Sequence, residues 1–464
     1  MGENYWESCF NMERKLFGTD GIRGRANKFP LTVDMISKIG MAIGAVLKKE
    51  GHRNNIVIGK DTRLSGYMIE DALAAGLNAV GIDVLLLGPI PTPGVAMLTK
   101  TMKCDIGIVI SASHNPFYDN GIKLFDTNGV KFPDDIEKKI EDCLESNCFE
   151  NFMAEDDKLG KRTVSEHSLY QQRYIQFLKN AFPRELSLDG LKIALDCANG
   201  ASYKITPTVL EELGAELFVI GNQPNGININ AECGSTDIKK LQKLVIEKQC
   251  DIGIALDGDA DRIIIVDEKG REIDGDKIIA LVAKKMIDEK TLVGDTVVVT
   301  QMSNLGLENY LKSFGLNVIR TKVGDRYVAE EMRKGGFNLG GEQSGHIILG
   351  DYSTTGDGTL VALQVLSILA SQRNKKISEI TNLYNSVPQL MENVVYDKDK
   401  SNPLEEQSVK NIIAKSEEKL HNNGRLLIRK SGTQPMIRVM VESIDSDLMK
   451  NIVKNIVEEI KKYV

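Results

Sequence analysis

The chain has 464 residues, of which 42% are hydrophobic and 27% are charged, proportions typical of globular proteins. A formal net charge of -7 argues against a nucleic-acid-binding or membrane-surface protein, because both classes use basic surfaces. No run approaches the roughly 18 apolar residues of a membrane span, and residues 1–13 lack the basic and apolar regions of a secretory signal. We therefore expect a cytoplasmic protein with three or four domains.

Strands alternate with helix-like segments through most of the chain. The first strand of each repeat is a short β-branched run, predicted at residues 55–59, 191–196 and 295–300. The second strands are predicted at 80–87, 215–220 and 316–322. Such alternation predicts mostly parallel sheets with helices on both faces, and chemistry at the carboxyl ends of the strands.

The predicted third strands are near-repeats of one another, and each leads into a different polar loop. Residues 104–110 lead into Ile-Ser-Ala-Ser-His-Asn-Pro at 110–116, and a close copy at 250–256 leads into Asp-Gly-Asp-Ala-Asp-Arg at 257–262. A weaker version at 337–340 leads into Gly-Glu-Gln-Ser-Gly-His at 341–346. The pattern predicts one active site with a hydroxyl nucleophile, a carboxylate triplet and a polar sugar-binding loop.

These repeats predict three similar α/β sandwich domains with mixed, mostly parallel sheets, at residues 1–164, 165–266 and 267–380. A helix at 170–182 would bridge the first two. From residue 381 the pattern changes to strands at 391–396, 425–429 and 436–442, followed by a helix with an apolar stripe. A smaller α+β domain is therefore expected at 381–464, with the active site in a central cleft.

The seven cysteines contain no C-x-x-C pair, which argues against a zinc site or a disulfide framework. Cys143 and Cys148 are the closest pair, in a polar, helix-like stretch. We expect reduced thiols, as is usual in the cytoplasm.

Asp257, Asp259 and Asp261 alternate, so all three can face one way in an extended loop. Three close carboxylates repel unless a cation lies among them, and oxygen ligands suit Mg²⁺. An EF-hand is the rival interpretation, and Glu268 even stands at the twelfth position. It fails because Arg262 occupies the place of the required Gly and the flanking segments are strands rather than helices.

Ser113 follows a buried-looking strand, and the serine, histidine and asparagine of such a turn usually serve only local hydrogen bonds. A serine hydrolase is disfavoured, because the adjacent His114 rarely meets such a serine as its base and no G-x-S-x-G elbow is present. What favours a nucleophile is the carboxylate loop at the equivalent position of the next repeat.

A phosphate cradle is the hypothesis for residues 429–433, Arg-Lys-Ser-Gly-Thr, together with Arg438. The loop is not a Walker A motif, and no G-x-G-x-x-G supports dinucleotide binding. Glu342, Ser344 and His346 offer acceptors, a donor and a titratable group on one loop, and Arg23 and Lys123 add positive charge near other polar loops.

Taken together, the ordered motifs at residues 17–24, 113–123, 257–262, 323–328, 341–346 and 429–433 resemble the α-D-phosphohexomutase superfamily over nearly the whole chain. The variants Gly-Glu-Gln-Ser-Gly-His and Val-Gly-Asp-Arg-Tyr-Val favour its glucosamine branch over its phosphomannomutase/phosphoglucomutase branch.

The resemblance implies that Ser113 is a phosphoserine whose phosphate oxygen holds Mg²⁺ with the three aspartates. It implies sugar contacts from Glu342 and Ser344. It implies a clamp on the non-reacting phosphate, formed by Arg429, Ser431, Gly432, Thr433 and Arg438. It implies that Arg23, Lys123 and Arg262 surround the transferring phosphate, with Lys123 and His346 as candidate proton-transfer groups. His114 is expected to be catalytic, and Arg326, like Arg262, to contact the substrate.

The implied reaction interconverts glucosamine 6-phosphate and glucosamine 1-phosphate through a 1,6-bisphosphate, which also serves as primer, and supplies UDP-N-acetylglucosamine and peptidoglycan synthesis. The alternatives are a mutase of mannose or glucose phosphates, a non-catalytic phosphosugar-binding protein and a phosphatase. The expected partner is a small phosphosugar, without nucleic acid or membrane, and a homodimer is left open. Gln434 stands where the family has Glu, and Met12 where its chains usually start.

Overall fold

The computed structural model describes residues 16–18, 20–49, 51–52, 54–164, 166–396, 402–421, 424–430 and 436–464, without the side chain of His167. Within these residues the chain forms four β-sheets, and each sheet is built from one continuous stretch of sequence. The predicted class, three similar α/β domains and a smaller α+β domain, is confirmed.

The first sheet has seven strands in the order β1-β2-β6-β5-β3-β4-β7. They are β1 Phe17–Gly18, β2 Gly21–Arg25, β3 Asn55–Lys60, β4 Asp83–Pro89, β5 Ile106–Ile110, β6 Asp119–Asp126 and β7 Arg162–Val164. The helices of this segment are α1 Val33–Leu47, α2 Ser65–Ala79, α3 Thr92–Thr101 and α4 Asp134–Ser146. Helices cover both faces, because alternate β3 side chains enter two separate apolar clusters.

The second sheet has the order β12-β11-β10-β8-β9, and the third has the order β14-β13-β15-β16. The second segment contains α5 His167–Asn180, β8 Lys192–Asp196, α6 Ile205–Glu212, β9 Glu216–Ile220, α7 Lys239–Lys248, β10 Ile252–Leu256, β11 Ile263–Asp267 and β12 Glu272–Ile273. The third contains α8 Gly275–Asp288, β13 Thr296–Thr300, α9 Leu305–Ser313, β14 Asn317–Thr321, α10 Asp325–Gly335, β15 Leu339–Gly341, β16 Ile347–Leu349, α11 Gly358–Ser371 and α12 Ile377–Ile380.

The predicted repeat has a shared topology in these three sheets. In each, a strand parallel to its inner neighbour ends in a polar loop, and the chain returns antiparallel beside it, as β5–β6, β10–β11 and β15–β16. The inner pairings β3–β5, β8–β10 and β13–β15 are parallel. The three loops therefore leave equivalent edges of three equivalent sheets.

The last segment is the predicted small α+β domain. Its antiparallel sheet β17-β19-β18 comprises β17 Gln389–Val395, β18 Gly424–Lys430 and β19 Met436–Ser443, and its helices are α13 Gln407–Leu420 and α14 Ser446–Lys461. The apolar stripe of α14 packs on the sheet, as its period of 3.6 predicts.

Helix α11 joins the second and third segments. Residues 358–370 are all buried, and the helix packs against α5, α8, β10, β11 and β16. Gln364 donates a 3.0 Å hydrogen bond to the Ala181 carbonyl, and the hydroxyls of Thr206 and Thr359 are 2.7 Å apart. One apolar cluster consequently runs through the first three segments.

Two expectations from the sequence were wrong. The strand predicted at 80–87 begins only at Asp83, because Gly81 has a φ of 82° and turns the chain. Cys143 and Cys148 form a disulfide rather than free thiols. Asn147 ends α4 with a φ of 52°, and this turn brings the two Cα atoms to 5.0 Å, within disulfide range.

Other cysteines of the described chain, namely Cys104, Cys197, Cys233 and Cys250, are free and buried. The predicted domain boundaries at 164, 266 and 380 stay predictions. Every helix among the described residues is too short or too polar to cross a membrane.

Candidate active site at the meeting of four domains

Ser113 lies in the loop after β5 and is almost fully buried. Its Oγ donates a 2.5 Å hydrogen bond to Oδ2 of Asp257, in the loop after β10, so the structure brings two of the predicted loops together. The neighbouring His114 has its Nδ1 3.4 Å from the same Oγ. Burial, and then the charges of Arg262 and Arg23, lower the pKa of His114 to about 4, which keeps its ring neutral.

Asp257, Asp259 and Asp261 are buried and converge, each placing a carboxylate oxygen within 4.8 Å of the others. Burial, and then the charges of Asp261 and Asp259, raise the pKa of Asp257 well above its usual range. Oδ1 of Asp259 and Oδ1 of Asp261 accept no hydrogen bond from any residue that the structure describes, although both are shielded from solvent. Unsatisfied carboxylate oxygens at this spacing fit a hard divalent cation such as Mg²⁺.

Lys123 on β6 is buried against this triplet. Its Nζ lies 2.8 Å from Asp259 Oδ2, 3.4 Å from Asp261 Oδ2 and 3.1 Å from Asp20 Oδ2. Burial favours the neutral amine, but the three carboxylates outweigh it and raise the pKa of Lys123 well above its usual value. The side chain therefore presents a fixed positive charge.

His346 is also buried against the triplet and does not line the cleft. Its Nε2 accepts a 3.0 Å hydrogen bond from the Gly356 backbone N–H, and its Nδ1 is 3.7 Å from Asp261 Oδ1. Burial opposes a positive charge here, yet the charges of Asp261 and Asp325 raise the pKa of the ring. The geometry indicates a residue that orients Asp261.

A cavity of about 720 Å³ opens in front of these loops. All four segments contribute to it, and its polar lining consists of His114, Ser235, Thr236, Arg262, Glu272, Asp274, Thr300, Glu342, Gln343, Ser344, Arg429 and Arg438. Arg262 lies between the cavity and the triplet, with its Nε 3.9 Å from Asp261 Oδ1. A polar cavity with cations and carboxylates suits a small charged ligand.

Two sugar-binding candidates are in place in this cavity. Oε1 of Glu342 accepts a 3.1 Å hydrogen bond from the Gly324 backbone N–H, and its Oε2 lies 3.4 Å from the Ser344 hydroxyl. Arg23 lies beside the nucleophile loop, where its Nη1 donates to the Ala112 carbonyl at 3.3 Å and its Nη2 pairs with Asp20 at 2.5 Å.

Arg429 and Arg438 face each other directly across β18 and β19. Burial, and then the charge of Arg438, lower the pKa of Arg429. Nε of Arg438 is buried and has no hydrogen-bond partner among the described residues. Two guanidinium groups in such proximity fit a phosphate. The other predicted members of this clamp, Ser431, Gly432 and Thr433, and also Gln434, lie outside the described residues.

Arg326 also lies away from the cleft. Its Nη2 donates to the Phe132 carbonyl at 2.7 Å, and its Nη1 pairs with Asp134 and, at 3.1 Å, with Glu137. The structure thus holds Arg326 against the first segment, and its predicted substrate contact stays a prediction. As the second residue of α10, its side chain points towards α4 and joins the first and third segments.

Several residues of the site were missed by sequence reasoning. Thr92 donates through its hydroxyl to Asp259 Oδ2 at 2.6 Å, and its backbone N–H donates to the Asp259 carbonyl at 3.0 Å. Its position just after the parallel strand β4 could have indicated it. Asp20 pairs with Arg23, Lys123 and Lys131, and Lys131 pairs also with Asp325. Nothing in the local sequence indicates that network.

Similarity to known proteins follows the same four-part order. Four family descriptions match successive segments: "Phosphoglucomutase/phosphomannomutase, alpha/beta/alpha domain I" at residues 14–151, domain II at 172–270, domain III at 274–387 and the C-terminal domain at 390–459.

Solved structures share this fold. A phosphoglucomutase/phosphomannomutase family protein from Burkholderia thailandensis superposes with a TM-score of 0.81 at 22% identity, covering 97% of each chain. An N-acetylphosphoglucosamine mutase from Aspergillus fumigatus, in complex with GlcNAc-6P and magnesium, gives a TM-score of 0.64 at 18% identity, covering 97% of this chain and 96% of that chain.

Curated relatives are much closer in sequence. A phosphoglucosamine mutase from Agrobacterium fabrum is 54% identical over 446 residues, which is 96% of this chain and 98% of the relative. Because this identity extends over nearly the full length of both proteins and the four domain types occur in the family's order, the chain belongs to the phosphoglucosamine mutase family.

Proposed function

We propose that the protein interconverts glucosamine 6-phosphate and glucosamine 1-phosphate through a phosphoserine at Ser113. The observation that carries the proposal is the 2.5 Å contact between the Ser113 hydroxyl and Asp257, at the edge of a buried carboxylate triplet. A nucleophilic hydroxyl beside a cation site, facing a cavity with an arginine pair, has the parts that phosphoryl transfer needs.

In the first half-reaction the phosphoryl group would pass from Ser113 Oγ to the free hydroxyl of the substrate, giving the 1,6-bisphosphate. Ser113 and the three aspartates would hold Mg²⁺, which would neutralise charge on the transferring group. Lys123 supplies a fixed positive charge at the triplet, and Arg262 and Arg23 supply two more beside the cavity and the nucleophile loop.

In the second half-reaction the bisphosphate would turn over in the cleft, and Ser113 would accept the other phosphate. Arg429 and Arg438 would hold whichever phosphate is not reacting, while Glu342 and Ser344 would bind the sugar hydroxyls. Lys123 would neutralise charge at the triplet and His346 would orient Asp261, and both stay candidates for moving the proton that the substrate hydroxyl gives up and Ser113 Oγ takes back.

Two carboxylates in the cavity favour an amino sugar as the substrate. Glu272 and Asp274 line it without an ion pair to any described lysine or arginine, and burial, followed by the charge of Asp274, raises the pKa of Glu272. A substrate with a phosphate and an ammonium group would match both the arginines and these two carboxylates. The sugar 1,6-bisphosphate primer and the cytoplasmic location belong to this proposal, and a homodimer stays open.

The test is kcat/KM for glucosamine, mannose and glucose 6-phosphates, measured with Mg²⁺ and a sugar bisphosphate primer. We expect a clear preference for the amino sugar. Equal or reversed preference would indicate a mutase of mannose or glucose phosphates. No turnover of any substrate would indicate a non-catalytic phosphosugar-binding protein.

Ser113→Ala tests the nucleophile. We expect kcat to fall by roughly 10³-fold or more, because the covalent step is lost. Ser416→Ala is the matched control, since it removes a buried serine hydroxyl that bonds the Ile412 carbonyl on α13, away from the cavity and from the Ser113 loop. Near-normal turnover by Ser113→Ala, or transfer of labelled phosphate to that variant, would contradict the assignment.

A further inference from the structure

The backbone of Ser113 has an unusual conformation. Its φ is 50°, in the left-handed region, which is strained for a residue other than glycine. Within the loop, the Ser111 hydroxyl accepts a 2.9 Å hydrogen bond from the Ser113 N–H. A strained conformation of this kind persists only when surrounding groups impose it, so groups outside the loop must hold the Ser113 backbone.

Arg63 is the first of these groups. It is completely buried, and its Nη2 donates to the Ser113 carbonyl at 3.1 Å and to the Asn115 carbonyl at 2.5 Å. Asp61 neutralises the guanidinium and also accepts a 2.9 Å hydrogen bond from the Arg63 backbone N–H. A buried arginine whose Nη1 is held by Asp61 and whose Nη2 donates to two backbone carbonyls fixes the direction of those carbonyls.

Asn230 is the second group, and it comes from the second segment of the chain. Its Nδ2 donates to the same two carbonyls, at 2.8 Å to Ser113 and 3.1 Å to Asn115. Its own backbone is tied by a 2.9 Å hydrogen bond from its N–H to the Ala198 carbonyl. Gly258 closes the remaining side, because a Cβ there would lie 2.6 Å from the Ser113 carbonyl oxygen.

We propose that Arg63 and Asn230, the Ser113 clamp, are positioning residues that hold the nucleophile in its left-handed conformation and so direct its Oγ at Asp257. This rests on the proposed phosphoserine mechanism. Because both side chains donate to the same pair of carbonyls from different segments, the conformation of the nucleophile depends on the contact between those segments. The clamp has no atom in the cavity lining, so it acts on the rate of transfer and not on substrate affinity.

Asn230→Ala is the first test, because this side chain is partly exposed and its loss should spare the fold. Thr62→Val is the matched control. It removes another hydrogen bond between the same two segments, from the Thr62 hydroxyl to the Asn199 carbonyl, but leaves the Ser113 loop untouched. Arg63→Lys, which keeps the charge and loses the fork, is the second variant.

For Asn230→Ala we expect kcat to fall roughly 10- to 100-fold with KM within about twofold. A shift of Ser113 Oγ by about 1 Å would slow phosphoryl transfer by this much without removing a substrate contact. Phosphorylation of Ser113 by glucose 1,6-bisphosphate, followed by intact mass in a single turnover, should slow in parallel. Thr62→Val should keep both rates within about threefold of the unmodified protein.

Three outcomes would overturn the clamp while leaving the mutase assignment intact. One is unchanged kcat in Asn230→Ala. Another is an equal loss of kcat in Thr62→Val, which would show that the effect comes from weaker contact between the first and second segments in general. The last is a rise in KM with unchanged kcat, which would make Asn230 a substrate ligand. Absence of turnover in the unmodified protein would instead overturn the proposed function itself.

Discussion

The two ends of the cleft are built on opposite electrostatic principles. At the Ser113 end, charges are paired: Lys123 contacts Asp259, Asp261 and Asp20, and almost every group is buried. At the other end, Arg429 and Arg438 face each other, and neither forms an ion pair within the described residues. Like charges across a strand pair are destabilising, so this arrangement is suited to an anion that comes and goes.

The difference separates two tasks. The paired end must place a nucleophile and a cation to within a fraction of an ångström, and buried networks provide such rigidity. The unpaired end must bind one phosphate, release it and accept another during each turnover. Removing a group from the first end should therefore affect kcat, whereas removing a group from the second should affect KM.

The largest effect is expected from Asp259→Asn at the paired end. Its Oδ1 is one of the unsatisfied oxygens, so the substitution removes a charge and an expected cation ligand. We expect kcat to fall by roughly 100-fold or more, and titration calorimetry to show Mg²⁺ affinity lowered by at least tenfold. Thr92→Val removes only a hydrogen bond to Asp259 and should lower kcat and Mg²⁺ affinity less. Full activity of the unmodified protein in EDTA would contradict the cation site.

An intermediate effect is expected from Arg438→Gln at the unpaired end. Loss of a charged hydrogen-bond donor to phosphate should raise KM roughly 10- to 100-fold with kcat changed only a few-fold. Lys450→Gln is the matched control, since it removes one exposed charge of the same domain, on α14 and outside the cavity lining. Steady-state kinetics would reject the division of tasks if Arg438→Gln lowered kcat and left KM unchanged.

The smallest effect is expected from Glu272→Gln. A largely solvent-facing carboxylate should contribute up to about fivefold in kcat/KM for glucosamine 6-phosphate and nothing for glucose 6-phosphate. The ratio of the two substrates is thus its own control. Equal losses for both sugars would show that Glu272 supports the cavity wall rather than the ammonium group.

The sequence was sufficient for the parts that depend on local pattern. The three strand–loop units were predictable because a buried strand and its polar loop are contiguous, and the carboxylate triplet lies within five residues. The C-terminal sheet was predictable for the same reason. The sequence of a single unit does not indicate which loops meet in the fold. The similarity of the three units does, because it places their loops at equivalent sheet edges.

The parts that the sequence did not reveal depend on long-range contacts. Arg326 belongs to a motif, yet its partners Asp134 and Glu137 are nearly two hundred residues away. Asn230 lies 117 residues from the carbonyl that it holds, in a loop with no motif of its own. The Cys143–Cys148 disulfide is a local exception, because it depends on the left-handed backbone of Asn147, which the composition of the helix did not indicate.

Helix α11 has a consequence for how the chain is made. Every residue from 358 to 370 is buried, and the groove that receives it is lined by elements of both the second and the third segments. A ribosome synthesises the second segment about a hundred residues before this helix, so an apolar groove must stay open to water until α11 emerges. We expect this nascent intermediate to be the species most prone to aggregation and the one that a chaperone would bind.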